Sequence, residues 1–97
     1  MINSQSVLQT KRSQILQIAA RNGVKRLRVF GSVARGTDDA QSDIDFLVEL
    51  APDRSLFDLG NFLYEVRSLL GREVDVVTEK GLQHRIRSRV LAEAVEL

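Results

Sequence analysis

Apolar residues recur at helical spacing in three stretches of the chain. The first predicts an amphipathic helix over residues 5–21. The second begins at a Ser55/Asp58 capping box and is ended by Gly71, and the third predicts a closing helix over residues 82–94. The apolar positions are Leu8, Ile15, Ile18 and Ala19, then Leu59, Phe62, Leu63, Val66, Leu69 and Leu70, then Leu82, Ile86, Val90 and Ala94.

Between these helices, three short segments carry the pattern of β-strands. They are residues 26–30, 43–50 and 73–77, and turn-forming residues separate the first two. A short connection favours antiparallel pairing of the first two strands, whereas a helical crossover makes the second and third parallel. The prediction is therefore an α+β fold, with a small mixed β-sheet of three or four strands backed by helices.

Length and composition restrict the class of protein. A chain of 97 residues predicts one domain, 1–97, and the absence of cysteine excludes disulfides and thiolate metal sites. A single histidine, His84, is too little for a typical zinc site, and we assign it no role. No apolar run is long enough for a membrane span, and the first residues lack the apolar core of a secretory signal. We therefore expect a soluble, cytoplasmic protein.

The net charge is only +1, but the two signs are separated along the chain. Residues 1–28 contain six basic residues and no acid, whereas residues 38–58 contain seven acids and one arginine. Such a separation is compatible with an ordinary solvated surface, or with an acidic cation site beside a basic rim that binds anions.

Two aspartates stand in the second predicted strand, and a third stands in the next strand. Because strand side chains alternate, Asp43 and Asp45 point to one face, and Asp75 points to the same face if the two strands are neighbours. Two charges about 4 Å apart repel by roughly 1 kcal/mol in water and about 4 kcal/mol at an intermediate dielectric. The pattern therefore predicts a bound cation on an open face of the sheet.

Carboxylate oxygens are the ligands that Mg²⁺ prefers, and two such ions can bracket a reacting phosphoryl group. Gly31 permits close backbone approach by a phosphate, and Ser32 offers a hydroxyl while also serving as a possible cap for a one-turn helix over residues 33–35. We expect Arg35, on that helix, to contact a triphosphate. The sequence thus predicts a metal-bridged polyphosphate between the two halves of the site.

The spacing of these residues is more specific than any one of them. A lone D-x-D pair is usually explained by exposed acids on an edge strand, and Gly-Ser by a strand stop and a helix cap. Gly-Ser followed after ten residues by Asp-x-Asp is expected by chance in only about one chain of this size in a thousand. The lysine of a P-loop is missing, so that alternative is weak.

The stretches "LRVFGSVARGTDDAQSDIDFLVEL", "RSLFDLGNFLYEVRSLLGREVDVVTEKGL" and "RIRSRVLAEAV" resemble the minimal nucleotidyltransferases of prokaryotes. These belong to the superfamily of DNA polymerase β, with the signature G-S-x10-D-x-D and a later strand acid. The resemblance runs from Leu27 to Val95. The N-terminal helix lies outside this resemblance, so we expect the single domain to consist of an N-terminal helix, residues 1–22, and a catalytic core, residues 26–97.

The resemblance also implies an activity and assigns roles to the residues. It implies transfer of AMP from ATP, with two Mg²⁺ ions held by Asp43, Asp45 and Asp75 and with Gly31 and Ser32 holding the triphosphate. Proteins of this family are typically paired with a HEPN-domain ribonuclease toxin, so the chain is expected to form a hetero-complex and to act as an antitoxin that adenylylates its toxin, on a tyrosine by analogy.

Two other functions stay open on the sequence alone. The chain could neutralise a toxin by stoichiometric contact with a vestigial metal site, or it could transfer a nucleotide to a small molecule or an RNA end. The basic run "HRIRSR", residues 84–89, could bind nucleic acid, but the near-zero net charge and single tyrosine argue against a dedicated nucleic-acid groove.

Overall fold

The computed structural model describes residues 4–97, so residues 1–3 of the predicted N-terminal segment lie outside the described residues. Five helices and four strands follow one another along the described chain. They are α1 (Ser4–Thr10), α2 (Arg12–Arg21), β1 (Val24–Phe30), α3 (Gly31–Arg35), β2 (Ile44–Leu50), α4 (Leu56–Leu70), β3 (Val74–Thr78), α5 (His84–Glu93) and β4 (Val95–Glu96).

The four strands form one mixed sheet in the order β3-β2-β1-β4. β1 pairs antiparallel with β2 and with β4, whereas β2 and β3 are parallel and joined by α4. The predicted fold class and both predicted pairings are confirmed. The sequence pattern did not mark β4, because a strand of two residues carries too few positions to show any alternation.

The prediction of one helix over residues 5–21 is wrong, because the helix is interrupted at Lys11, whose φ of −102° and ψ of 12° are not helical, and two helices form. Backbone hydrogen bonds still cross the interruption, from Lys11 N to Val7 O and from Ile15 N to Lys11 O. The hydroxyl of Thr10 donates to the carbonyl oxygen of Ser6 at 2.9 Å. A threonine that bonds back by four residues tends to bend a helix, which accounts for the interruption.

Smaller differences concern where elements begin and end. α3 starts at Gly31 rather than at residue 33, and Phe30 occupies its N-cap position without a side-chain hydrogen bond, so the expected cap by Ser32 is wrong. The chain turns at Gly31 with a φ of 76°, which brings the helix directly after the strand. β1 begins at Val24 rather than at residue 26, and β2 begins at Ile44, so that Asp43 lies just before it. The closing helix begins at His84 rather than at residue 82.

The crossover helix α4 is defined at both ends by local chemistry. The Ser55 hydroxyl accepts from Phe57 N, and the Asp58 carboxylate accepts from Ser55 N, which completes the predicted capping box. This backbone hydrogen bond holds the pKa of Asp58 below its usual range. Gly71 ends the helix in the left-handed conformation, with its N–H bonded to Arg67 O.

One face of the sheet, the core face, packs against α2 and α4 and carries the main hydrophobic core. The rings of Phe46 and Phe62 meet edge to face at a centroid distance of 6.1 Å, and both are fully buried. The buried strand residues of this core are Val24, Leu27, Val29, Ile44, Phe46, Val48 and Val74.

The opposite face, the acid face, carries the alternate residues of the same strands: Arg28, Phe30, Asp45, Leu47, Asp75 and Val77. It is not open along its whole length, because Leu47 is fully buried and Arg28 is only 7% exposed. The guanidinium of Arg28 bonds Glu79 at 2.7 Å, and Glu79 also lies 3.8 Å from Arg87 of α5. The Arg28–Glu79 pair covers this part of the acid face, whereas Asp43 and Asp75 at the other end are exposed.

No helix among residues 4–97 combines the length and the apolar character that a membrane crossing would require.

Candidate active site

The turn from β1 into α3 brings the backbone against a carboxylate. Phe30 is the register partner of Asp45, so Gly31 lies beside Asp45 at the end of the strand pair. A Cβ at residue 31 would lie 2.3 Å from the Oδ2 atom of Asp45, and the φ of 76° is strained for any side chain. Only glycine fits this position, and it brings backbone and carboxylate into close proximity.

The parallel pairing of β2 and β3 sets Asp45 directly opposite Asp75. Asp43 lies just before β2, with the same parity as Asp45. All three predicted acids therefore stand at one end of the acid face. No group of three or more acidic or histidine side chains among residues 4–97 is gathered tightly enough to form a preassembled metal centre.

The electrostatics of Asp45 reflect this arrangement. Partial burial, and then the negative charges of Asp75 and Asp43, raise the pKa of Asp45 from 3.8 to about 6. The positive charge of Arg35 opposes the shift. The charged form of Asp45 is thus disfavoured until a cation joins the site.

Glu93 is a fourth carboxylate at this end of the face, and the sequence analysis missed it. It lies in the last turn of α5, its side chain is 17% exposed, and its Oε2 accepts a hydrogen bond from Arg35 Nη1 at 2.7 Å. Its charge also contributes to the raised pKa of Asp45. The sequence offered only a weak signal, a single acid at the end of an otherwise basic helix.

The remaining predicted residues line the same turn. Ser32 is partly buried in the first turn of α3, and its hydroxyl forms no hydrogen bond within the described part of the chain. Arg35 is half exposed in the last turn, where only one of its donors is used by Glu93. Gly31, Ser32 and Arg35 thus lie on one five-residue helix beside the acids.

The chemistry of this donor set suits a magnesium ion. The groups are carboxylate oxygens, which hard divalent cations prefer, and a cation would offset both the burial and the like charges that raise the pKa of Asp45. Because Gly31 has no Cβ, the turn from β1 into α3 lies close to the Asp45 carboxylate. A polyphosphate chelated by an ion at Asp45 would therefore lie beside this turn.

Comparison with known proteins identifies the family. The model of the nucleotidyltransferase domain family matches residues 12–97, which include the Gly-Ser turn and all three aspartates. This chain belongs to the nucleotidyltransferase domain family. The resemblance found in the sequence and the predicted enzyme class, a nucleotidyltransferase, are both confirmed.

Two relatives of this nucleotidyltransferase are archaeal. One is MJ0435 of Methanocaldococcus jannaschii, named as a proposed protein adenylyltransferase, with 43% identity over 87% of this chain and 90% of that protein. The other is the protein adenylyltransferase MntA of Thermococcus cleftensis, with 35% identity over 81% of this chain and 80% of that protein.

Solved structures agree with the fold of this nucleotidyltransferase. A structure described as a proposed minimal nucleotidyltransferase is 44% identical, with a TM-score of 0.84 over 94% of this chain and 93% of that chain. A toxin–antitoxin crystal structure with AMP-PNP has a TM-score of 0.72 over 87% of this chain and 69% of that chain. At 22% identity, the second likeness shows a shared fold alone.

Proposed function

We propose that this nucleotidyltransferase is a magnesium-dependent protein adenylyltransferase that transfers AMP from ATP to a hydroxyl group, a tyrosine by preference, of a partner HEPN ribonuclease toxin. Acting in this way, it serves as the antitoxin of the pair. The names of two relatives with 43% and 35% identity support protein as the acceptor. The fold shared with an antitoxin-containing complex supports the role.

The observation that carries this proposal is the close approach of Gly31 to Asp45, with Asp75 opposite Asp45 on the next strand. Carboxylates beside a turn that has no side chain at Gly31 can hold a metal ion and a triphosphate together. An acid whose ionisation is opposed by burial and by the like charges of Asp75, Asp43 and Glu93 is typical of a functional site.

Each residue of the site has a role in the proposed reaction. Gly31, Ser32 and Arg35 bind and orient the triphosphate, and Asp43, Asp45 and Asp75 hold magnesium. When bound, magnesium neutralises charge on the reacting phosphate and on the leaving pyrophosphate.

The bond changes are those of a nucleotidyl transfer. The acceptor oxygen forms a bond to the α-phosphorus, and the bond between that phosphorus and the α–β bridging oxygen breaks to release pyrophosphate. Asp75, on the outer strand β3, takes the proton of the acceptor hydroxyl. The reaction depends mainly on positioning and charge, which a domain of 97 residues can supply.

The test is transfer of label from α-labelled ATP, with magnesium, to the protein encoded beside this one. We expect label on a tyrosine of that neighbour, and loss of labelling by at least about a thousandfold when Asp43→Asn is combined with Asp45→Asn. The matched control combines Asp38→Asn with Asp53→Asn, two acids outside the site, and retains labelling.

Two results would contradict the proposal. If the neighbour is neutralised equally well by the Asp43→Asn/Asp45→Asn protein, the chain acts by contact alone. If label enters a small hydroxylated molecule or an RNA end and never the neighbour, the acceptor class is wrong.

A further inference from the structure

The segment that runs from the end of β3 through α5 carries basic side chains that have no acidic partner. Lys80, Arg85 and Arg89 are all exposed, and none forms an ion pair or hydrogen bond within residues 4–97. Arg87, between them, has only a 3.8 Å contact with Glu79, which already bonds Arg28 at 2.7 Å. The segment 80–89 therefore presents four exposed cations, of which one has a distant, shared partner.

Basic residues elsewhere in the described chain are mostly engaged. Six form ion pairs with acids at 2.5 to 3.1 Å, Lys25 has a contact of 3.8 Å with Glu49, and two more donate hydrogen bonds to oxygen atoms. Of the cations outside residues 80–89, Lys11 alone has no partner within the described chain. The paired residues are Arg21, Lys25, Arg26, Arg28, Arg35, Arg54 and Arg67, and the hydrogen-bonded residues are Arg12 and Arg72. Unpaired positive charge is thus concentrated on one segment.

α5 places these charges beside the site. Arg85 and Arg89 are separated by four residues, so they share one side of the helix, and Glu93 follows one turn later on the same side. Glu93 bonds Arg35 and acts on Asp45. Like charges at this spacing destabilise a helix, so the pair of arginines does not serve the stability of α5.

We propose that Lys80, just before α5, and Arg85 and Arg89 on α5 form the docking surface for an acidic face of the acceptor protein. This inference rests on the proposed function, because it names the surface by which the acceptor is presented to the acids. A negatively charged surface bound along α5 lies next to Glu93, at the end of the helix that meets the active site. Complementary charge then speeds encounter and orients the hydroxyl.

A protein surface suits this segment better than RNA. Residues 80–93 contain no phenylalanine, tyrosine or tryptophan on which bases could stack, and the net charge of the whole chain is only +1.

The experiment measures binding of the acceptor, the protein encoded beside this one, by calorimetry over a range of salt concentrations. Arg85→Glu with Arg89→Glu is compared with Lys11→Glu plus Lys25→Glu, which changes the net charge equally at positions outside α5. We expect the α5 variant to bind at least about tenfold more weakly and to lose most of the salt dependence, whereas the control retains both. Magnesium-ATP binding, measured without the acceptor, should not change in the α5 variant.

Several results would overturn the inference. The inference is wrong if the α5 variant binds the acceptor as well as wild type does, if the control loses as much acceptor affinity as the α5 variant, or if the wild-type protein does not bind the neighbour. It is also wrong if the α5 variant loses ATP binding, because the arginines would then contact the triphosphate. A different result would assign the surface to RNA. In that case the wild-type protein and the control bind a single-stranded RNA oligonucleotide in a salt-dependent way, and the α5 variant loses this binding but still binds the acceptor.

Binding and labelling separate the two proposals. Because binding is measured without transfer, absence of label with wild-type protein contradicts the proposed function but leaves the binding result to decide the docking surface.

Discussion

The two faces of the sheet differ although they are built from the same strands. On the core face, Phe46 and its neighbours are buried against α2 and α4, and the residues are uniformly apolar. On the acid face, the alternate positions hold Arg28, Asp45 and Asp75, with Leu47 as the buried apolar member. One face is arranged for burial and the other places charges close together.

This difference separates stability from function within a very small domain. The core face supplies the hydrophobic free energy of folding, and the acid face accepts repulsion that folding alone would avoid. Replacing a buried residue of the core face should therefore lower stability, whereas neutralising one of the clustered aspartates of the acid face should raise it. The following predictions test that contrast, beginning with the largest effect.

Phe62→Ala should have the largest effect, because it removes a fully buried ring that packs edge to face against Phe46. We expect the free energy of unfolding to fall by about 3 to 5 kcal/mol. Urea denaturation followed by circular dichroism measures this loss. A loss below about 1 kcal/mol would mean that the core face does not carry the stability assigned to it.

Gly31→Ala should lower the free energy of unfolding by about 2 kcal/mol, because it strains a left-handed backbone position and forces a methyl group onto Asp45. Calorimetric binding of magnesium-ATP should also be lost. Gly60→Ala is the matched control, since a Cβ at this site in α4 meets nothing within 4 Å. It should instead stabilise the protein by about 0.5 to 1 kcal/mol.

Asp45→Asn should raise stability by about 1.5 kcal/mol at neutral pH in the presence of a chelator, after allowance for the partial solvent screening of this carboxylate. Its pKa of about 6 in the folded protein exceeds the ordinary 3.8, so the folded state holds the proton more tightly. The wild-type protein therefore loses stability as pH rises from about 4 to about 6.

Thermal unfolding of both proteins across this pH range provides the measurement for Asp45→Asn. The gain should be close to zero near pH 4, where Asp45 is protonated in the wild-type fold, and full above pH 6. A variant less stable than wild type at neutral pH would show that Asp45 supports the fold, contrary to the contrast between the faces.

Ser55→Ala should have the smallest effect, a loss of about 1 kcal/mol of stability, because it removes the hydroxyl that accepts from Phe57 N at the start of α4. Denaturant titration should detect this change, while ATP binding stays at the wild-type level. Altered nucleotide binding in this variant would mean that α4 communicates with the acid face.

Much of this structure could be predicted because local patterns and tertiary structure agree. The capping box at Ser55 and the left-handed stop at Gly71 define α4 without help from other elements. The alternation of β2 and β3 was enough to predict that Asp45 and Asp75 share a face, because the parallel register places them opposite one another.

The features that escaped prediction depend on contacts between distant segments. β4 exists because Val95 and Glu96 meet β1, a pairing across about two thirds of the chain. Glu93 joins the site only because α5 returns to α3, where it meets Arg35. Burial of Arg28 depends in the same way on Glu79, 51 positions later.

β4 has a consequence for the association of the protein with itself. By pairing with Arg28 and Val29, and through the bond from Leu97 N to Leu27 O, the residues after α5 occupy the outer rim of β1. Backbone groups that could have recruited a strand from a second molecule are thereby used within the chain. β4 thus covers β1 at Leu27, Arg28 and Val29, and its own outer edge, only two residues long, offers little for a second molecule to pair with.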